Sequence, residues 1–429
     1  MLKWLRHAYR LVWQKLEVEQ VHDYSLLLRW QGSDAKLKPI VCISHTDVVP
    51  VNVESEWTHS PFGGVVADGY VWGRGAMDVK VMVVAMLEAV TQLLQDGFWP
   101  QRTVYFAFGH DEEVGGDRGA GATAKLLQDR GIEVELVLDE GGGVFVDGVE
   151  PFTQHPVAAV GTAEKGYISV ELTVRSPGGH ASMPPINGST VAATLARVIA
   201  NVEDAPPQMS IQQPVPDYLQ ALAPYAKSRL ARPFLARSNH SVVGEMVSWW
   251  MVTSSGRPQL AALVRPTVAV VRLESDGKAD NVLPQAGRAV FNFRTLPDTP
   301  PDFPEEYLTA MVGKEDMKHA SLRRLSTYQA SKVTPSDGKR FTQLRQAILE
   351  TLAPKEGLIV APTLVLGGTD SWHYQNISQG NILRFDGIPM NRTAGDGARV
   401  HGTDERCSIQ DYLQVIKFYI RFLQLAAAS

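Results

Sequence analysis

The 429-residue sequence predicts an α/β protein. It has a mixed, mostly parallel sheet flanked by helices, and it is interrupted by an inserted α+β domain. Three observations carry this prediction. Short apolar runs alternate with helix-length segments up to about Gly166. From Gly166 the pattern changes to period two, as in YISVELTVRS. From about Pro300 the first pattern returns and closes on SIQDYLQVIKFYIRFLQLAAA. The expected division is a split domain, 1–163 and 299–429, around an insert, 164–298.

The elements follow in order. MLKWLRHAYRLVWQKLEVEQ is amphipathic and broken by charge, as a surface helix is. KPIVCISH is a buried strand, and VVADGYVWGR is a hairpin-like pair turning at Asp68 and Gly69. VKVMVVAMLEAVTQLLQ is a long apolar helix that closes near Gly97. RTVYFAFG is a strand, GATAKLLQDRG a short helix, and VELVLDEGGG a strand ending in glycines. Alternation of this kind places helices over a largely parallel sheet. In the insert, TVAATLARVIANV is a helix, while TVAVVRLES and GRAVFNFRTL are strands. The segment 205–259 is irregular and carries the pair Trp249 and Trp250.

Composition narrows the function. Lys and Arg total 41 against 46 Asp and Glu, with no basic stripe, so neither nucleic acid nor an anionic membrane is expected as a partner. Two cysteines, Cys42 and Cys407, exclude a disulfide scaffold and a cysteine-based metal site. The N-terminus lacks the apolar core of a signal peptide, and no run is long enough to cross a bilayer, so the expected location is cytoplasmic.

Carboxylates and histidines gather where strands end, which is where such sheets collect ligands. ISHTDVVP puts His45 and Asp47 at i and i+2, on one face of an extended chain. GRGAMD brings Asp78 to the mouth of the long helix, and GHDEE sets Glu112 beside Glu113. LVLDEGG ends on Asp139, and RVHGTDER supplies His401 far down the chain. Singly, each has an ordinary reading: a satisfied structural histidine, a helix N-cap at Asp78, or surface glutamates. Together they pose a question, because carboxylates stay ionised at a buried strand end only beside cations or hydrogen-bond donors.

HTDVVPV, GRGAMDVK, GHDEEVGG, LVLDEGG, GGHASMPP and HGTDE, in this order, resemble the M20 metallopeptidases. ESEWTHSPFGG, GGTDSWHY and RVHGTDER resemble the branch of carboxypeptidase S and the N-acyl-amino-acid hydrolases (Gly-X carboxypeptidases). The resemblance implies a zinc-peptidase-like catalytic domain with a ferredoxin-like lid and dimerisation domain inserted. It implies two Zn²⁺ per subunit, and a His/carboxylate set also suits Mn²⁺ or Co²⁺. His45 and Asp139 match the ligands of one ion, Glu113 and His401 those of the other, and Asp78 the bridging carboxylate. Asp47 matches the residue that orients the ligand histidine, and Glu112 matches the general base.

The positive charge of two such ions answers the question of how Asp78, Glu113 and Asp139 remain ionised. Adjacent residues leaving a strand point different ways, so Glu113 can hold metal while Glu112 serves as base to a metal-activated water. His180 in GGHASMPP matches a histidine that reaches a partner subunit's active site and stabilises the oxyanion, which implies a homodimer through the insert. Asn281 and Arg294 match positions near substrate, the latter suited to clamp a carboxylate. Gly367, Gly368 and Thr369 can present backbone donors. The sequence departs from the family pattern at Val81 and at Trp372, where a small residue and an arginine are common.

The expected function is zinc-dependent hydrolysis of an amide bond beside a free carboxylate, in small peptides or N-acyl amino acids. The rivals are a dedicated aminoacylase, a catalytically silent binding protein of the same fold, and a structural metalloprotein. The silent protein requires loss of a ligand or base, and none is lost. The structural site is expected to be closed and cysteine-rich, and this one is not.

Overall fold

A computed structural model of the chain describes residues 1–186, 188–354 and 357–428. The chain divides into two compact units. The first comprises Met1–Ala163, Pro216–Ser238 and Lys332–Ser429, and the second Glu164–Val215 and Asn239–Ser331.

The first unit is built on a mixed sheet. Its middle is four neighbouring parallel strands, Val104–Gly109, Ile40–His45, Leu136–Asp139 and Ile382–Arg384. His45 pairs with Gly109 and Arg384 with Asp139, so the carboxyl ends align. Ser25–Trp30 and Glu17–Val21 extend the sheet antiparallel on one side.

Period-two alternation sends Ile40, Cys42, Phe106 and Leu138 into one core and Val41, Ile43, Ala107 and Val137 into another. Burial on both faces explains why these strands read as continuous apolar runs. The first core is closed by helices Lys80–Gln95, Lys339–Thr351 and Ile409–Ala426. In the last of these, Val415, Phe418, Tyr419, Phe422 and Leu423 are buried at helical spacing, and the Ser408 side chain caps the start by accepting from the Asp411 N–H (3.2 Å). Burying each such side chain contributes about 1.5–3 kcal/mol. Val81 is buried in this core too.

A small separate sheet brings distant motifs together. Val65–Ala67 and Tyr70–Trp72 form a hairpin whose turn residues Asp68 and Gly69 have φ of 52° and 81°, as a two-residue turn of this hand requires. Arg406–Ser408 pairs with Tyr70–Trp72. The C-terminal HGTDE segment is thereby carried to the loop that contains Asp78.

The second unit is a four-stranded antiparallel sheet in the spatial order Thr267–Ser275, Ala286–Thr295, Gly166–Arg175, Ala320–Tyr328. Helices Val191–Asp204 and Phe303–Val312 cover one face. The chain order is βαββαβ, the ferredoxin-like arrangement. Helix and sheet approach closely at Gly287, where a Cβ would lie 2.5 Å from Val191 Cγ1.

This unit does not end at the expected residue 298. Its fourth strand, Ala320–Tyr328, pairs along Gly166–Arg175, while residues 216–238 pack with the first unit. Both assignments depend on long-range contacts that local composition does not carry. Among the described residues no helix is long and apolar enough to cross a membrane.

Candidate metal centre

His45 ends a central strand and is buried. Its Nδ1 donates to the Asp47 carbonyl (3.1 Å) and lies 3.4 Å from the Asp47 carboxylate. That donation puts the proton on Nδ1 and leaves the Nε2 lone pair facing inward. Nε2 is buried without a hydrogen-bond partner, yet it lies 3.3 Å from Asp78 Oδ1, 3.2 Å from Glu140 Oε1 and 3.9 Å from Glu112 Oε2.

The other oxygen of Asp78, Oδ2, lies 2.8 Å from His401 Nε2, and that same nitrogen is 3.3 Å from Glu113 Oε2. One carboxylate therefore stands between two histidines, each accompanied by a further glutamate. Glu112 and Glu113 occupy a single 3₁₀ turn after the strand, and the Glu113 N–H donates to Asp47 Oδ2 (3.1 Å). Asp47 thus fixes both His45 and the turn.

Four carboxylates surround His45 and His401 here, with no lysine or arginine paired to them among the described residues. Burial, then the charge of Glu140, pushes the Glu112 carboxyl up to about 10. Burial and Asp78 raise Glu113. Burial alone would raise Asp78 and depress His45. For Asp78 the hydrogen bond and charge of His45 outweigh burial and hold the carboxyl low, and for His45 the charge of Glu140 with its acidic partners lifts the imidazole well above its ordinary range.

Such a set is the donor chemistry of a metal centre: imidazole nitrogen and carboxylate oxygen, closely spaced and short of positive charge. Among the described residues two groups, which share His45, fulfil the spacing: His45 with Glu112 and Glu140, and His45 with Asp78 and Glu113. With His401 Nε2 beside Asp78 and Glu113, the donor set suits divalent cations.

One expected ligand is displaced. Asp139 does not face His45. Its Oδ1 accepts from the Glu140 N–H (2.8 Å), its Oδ2 accepts from the Ser371 N–H (2.9 Å), and burial with the charge of Glu140 pushes its carboxyl up to about 8. The next residue, Glu140, turns to His45 instead. The register of Leu136–Asp139 in the sheet decides which of two adjacent acids points inward.

The other expected residues are distributed as follows. Thr369 is buried with its hydroxyl on Ser371 (2.7 Å). His180, Asn281 and Arg294 lie in the second unit. His180 pairs with Val282 in a short ribbon, its Nδ1 accepts from the Ser182 N–H (3.1 Å), and the Asn281 carbonyl accepts from the Ala181 N–H (2.9 Å). His180 and Asn281 are therefore neighbours. The Arg294 guanidinium lies 4.4 Å from the Tyr167 ring centre.

Sequence reasoning missed Glu405 altogether. It is fully buried and accepts from Arg74 Nη1 (2.6 Å) and from the N–H groups of Gly75 (2.9 Å), Met77 (2.7 Å) and Asp78 (3.0 Å). Asp404 beside it accepts from the Thr58 N–H (2.7 Å) and hydroxyl (2.8 Å). Glu405 ties the HGTDE segment to the Asp78 loop, and Asp404 ties it to Thr58. Between them they present His401, whose φ of 58° is a left-handed conformation rare outside glycine. The signal lies in the HGTDE motif itself, but the partners of its acids are more than 300 residues away.

An α/β sheet with a clustered His/carboxylate site at its carboxyl ends, joined to a ferredoxin-like unit, defines a metal-dependent hydrolase of the peptidase kind. Residues 41–425 match the model of peptidase family M20/M25/M40, and the chain belongs to that family. It is 34% identical over 424 residues to a probable carboxypeptidase S-like protein of Dictyostelium discoideum, covering 98% of this chain and 78% of the other. It is 33% identical over 414 residues to an N-fatty-acyl-amino acid synthase/hydrolase of Danio rerio, covering 95% and 76%.

Among solved structures, an M20 family metallo-carboxypeptidase from Sulfolobus solfataricus superposes with a TM-score of 0.70 at 18% identity, covering 99% of this chain and 93% of that one. A dinuclear metal-binding M20 peptidase from Bacillus subtilis does so with a TM-score of 0.58 at 12% identity, covering 99% and 92%. At these identities the likeness is one of fold.

Proposed function

We propose that this M20 hydrolase uses two zinc ions to cleave an amide bond next to a free carboxylate, in small peptides at the C-terminus or in N-acyl amino acids. Manganese or cobalt suits the same donors. The observation that carries the reading is Asp78, whose two oxygens face His45 and His401 separately. In this reading His45 and Glu140 would hold one ion, Glu113 and His401 would hold the other, and Asp78 would serve both. Divalent cations, when bound, supply Lewis-acid polarisation of the scissile carbonyl and lower the pKa of water.

The remaining chemistry belongs to the chain. Asp47 holds the His45 proton on Nδ1 so that Nε2 is a donor to metal. Glu112 takes the proton of the attacking water and delivers it to the leaving nitrogen. Glu112 suits this task because it is largely buried and paired with no lysine or arginine among the described residues. His180 stabilises the developing oxyanion, supplied from a partner subunit in a homodimer, while Asn281 and Arg294 hold the substrate. The names of the two relatives support both substrate classes.

The test is a hydrolysis panel of dipeptides and of short- and long-chain N-acyl amino acids, with and without chelator. Chelation should abolish turnover, and zinc should restore it. Glu112→Gln should keep both metals by elemental analysis and lose about 10²–10⁴-fold in kcat. Full activity of that variant rejects the base. Light scattering of the wild type tests the dimer, and a monomer with full activity rejects a His180 supplied in trans.

A further inference from the structure

A cavity of about 380 Å³ adjoins the candidate metal centre, with Asp78 and Glu140 in its wall. All its lining residues belong to the first unit. Most of the wall is apolar: Met77, Val79, Phe145, Ile388, Met390 and Val400. Its volume is that of a small-molecule site. One cation lines it, Arg392, whose guanidinium carbon lies 3.8 Å from the centre of the Phe145 ring.

Stacking on a ring face leaves the edge N–H groups of a guanidinium free to donate. Among the described residues the Arg392 side chain has no hydrogen bond or ion pair. Its backbone is anchored, because Asp147 accepts from the Arg392 N–H (3.3 Å) and the Thr393 N–H (2.8 Å). Asp386, also in the lining, is engaged with the Ile388 N–H (2.7 Å). The cavity thus combines apolar walls with one positioned cation that has no anion of its own.

We propose that Arg392, rather than Arg294, is the specificity-determining residue that binds the substrate's free carboxylate, in this cavity that Arg294 does not line, with the apolar side chain of the C-terminal amino acid against the Phe145 and Met390 wall. The inference rests on the amide-hydrolase reading and deepens it. It names the group that occupies the cavity as an α-amino acid with an apolar side chain, the leaving half of the substrate. Arg392 is exposed at the mouth, so water serves it when no anion is bound, and a hydrocarbon acyl chain in the same place would gain nothing from the guanidinium where a carboxylate would. A planar guanidinium suits a carboxylate because it can offer two parallel N–H donors.

The test uses the full-length, metal-loaded protein with Arg392→Ala and Arg392→Lys. The substrates are N-acetyl-phenylalanine, its C-terminal amide and N-acetyl-glycine. In parallel, calorimetry measures binding of phenylalanine and of phenylalaninamide.

Arg392→Ala should lower kcat/KM for N-acetyl-phenylalanine about 10- to 100-fold, through KM, as loss of a charged hydrogen-bond partner does. It should change the amide by no more than about twofold. Arg392→Lys should recover part of the loss, and phenylalanine should lose affinity with Arg392→Ala while phenylalaninamide does not. Wild type should prefer phenylalanine over glycine about 10- to 100-fold, from burial of the side chain. Equal losses on acid and amide, or no loss on either, overturn the role of Arg392. If the wild type hydrolyses nothing in the panel, the amide-hydrolase reading fails, and the calorimetric arm still decides whether Arg392 reads a carboxylate.

Discussion

Replacing Glu405 tests whether the candidate centre depends on an acid that never faces it. Glu405 forms a buried ion pair with Arg74 at 2.6 Å, and the two side chains are 0% and 4% exposed. It also accepts from three backbone N–H groups between Gly75 and Asp78. In Glu405→Ala all three N–H donors lose their acceptor, and the guanidinium loses its anion and keeps only the Gly402 carbonyl (2.9 Å). Breaking such a buried pair costs about 3–5 kcal/mol. The strain falls on the Asp78 backbone, so metal affinity should drop about 10- to 100-fold, as for other groups that orient ligands.

Two measurements read these effects. Urea unfolding of the metal-free protein, followed by tryptophan fluorescence, gives the stability change. Competition against a chromophoric chelator gives the metal affinity. Asp404→Ala is the internal control. It removes an acceptor for Thr58 at a more exposed position and should cost about 1 kcal/mol with little change in metal affinity. If Glu405→Ala unfolds like wild type and binds metal equally well, the clamp from HGTDE to the Asp78 loop is not what positions the centre.

The displaced ligand gives a second expectation: Glu140→Ala should lose one of two bound metals by elemental analysis, while Asp139→Asn should retain both, and the reverse result would return the role to Asp139. A third concerns protons. In the metal-free protein burial and the charge of Glu140 push Glu112 up to about 10, and the charge of Glu140 with its acidic partners raises His45 well above its ordinary value. Metal must displace protons to bind, so affinity should rise with pH through the neutral range, and calorimetry in buffers of different ionisation enthalpy should report proton release. Affinity independent of pH contradicts this account.

Much of the centre is legible in the linear sequence. Strand-end acids and histidines at His45, Asp47, Glu112 and Glu113 follow apolar runs, Asp78 stands at the mouth of the long apolar helix, and a parallel sheet collects ligands at such positions. The fold brings these five together with His401. The choice between Asp139 and Glu140 is not legible, because both leave one strand and only its pairing with Ile40–His45 and Ile382–Arg384 fixes which points inward. Glu405 is hidden for a related reason. In the motif it is one acid among several, and its four donors lie in a loop reached only when Arg406–Ser408 joins Tyr70–Trp72. The fourth strand of the second unit, Ala320–Tyr328, escapes a local reading because its partner is Gly166–Arg175, distant in the chain.

The order of elements, the two-part organisation and the residue types available for metal chemistry follow from the linear pattern alone. Periodicity and strand-end composition are local properties, so one dimension suffices to read them. Which acid faces the imidazole, which one holds the loop behind it, and where one unit stops are set by tertiary contacts. Those depend on register and on pairing between residues hundreds of positions apart, and a shift of one residue reverses the direction of a side chain.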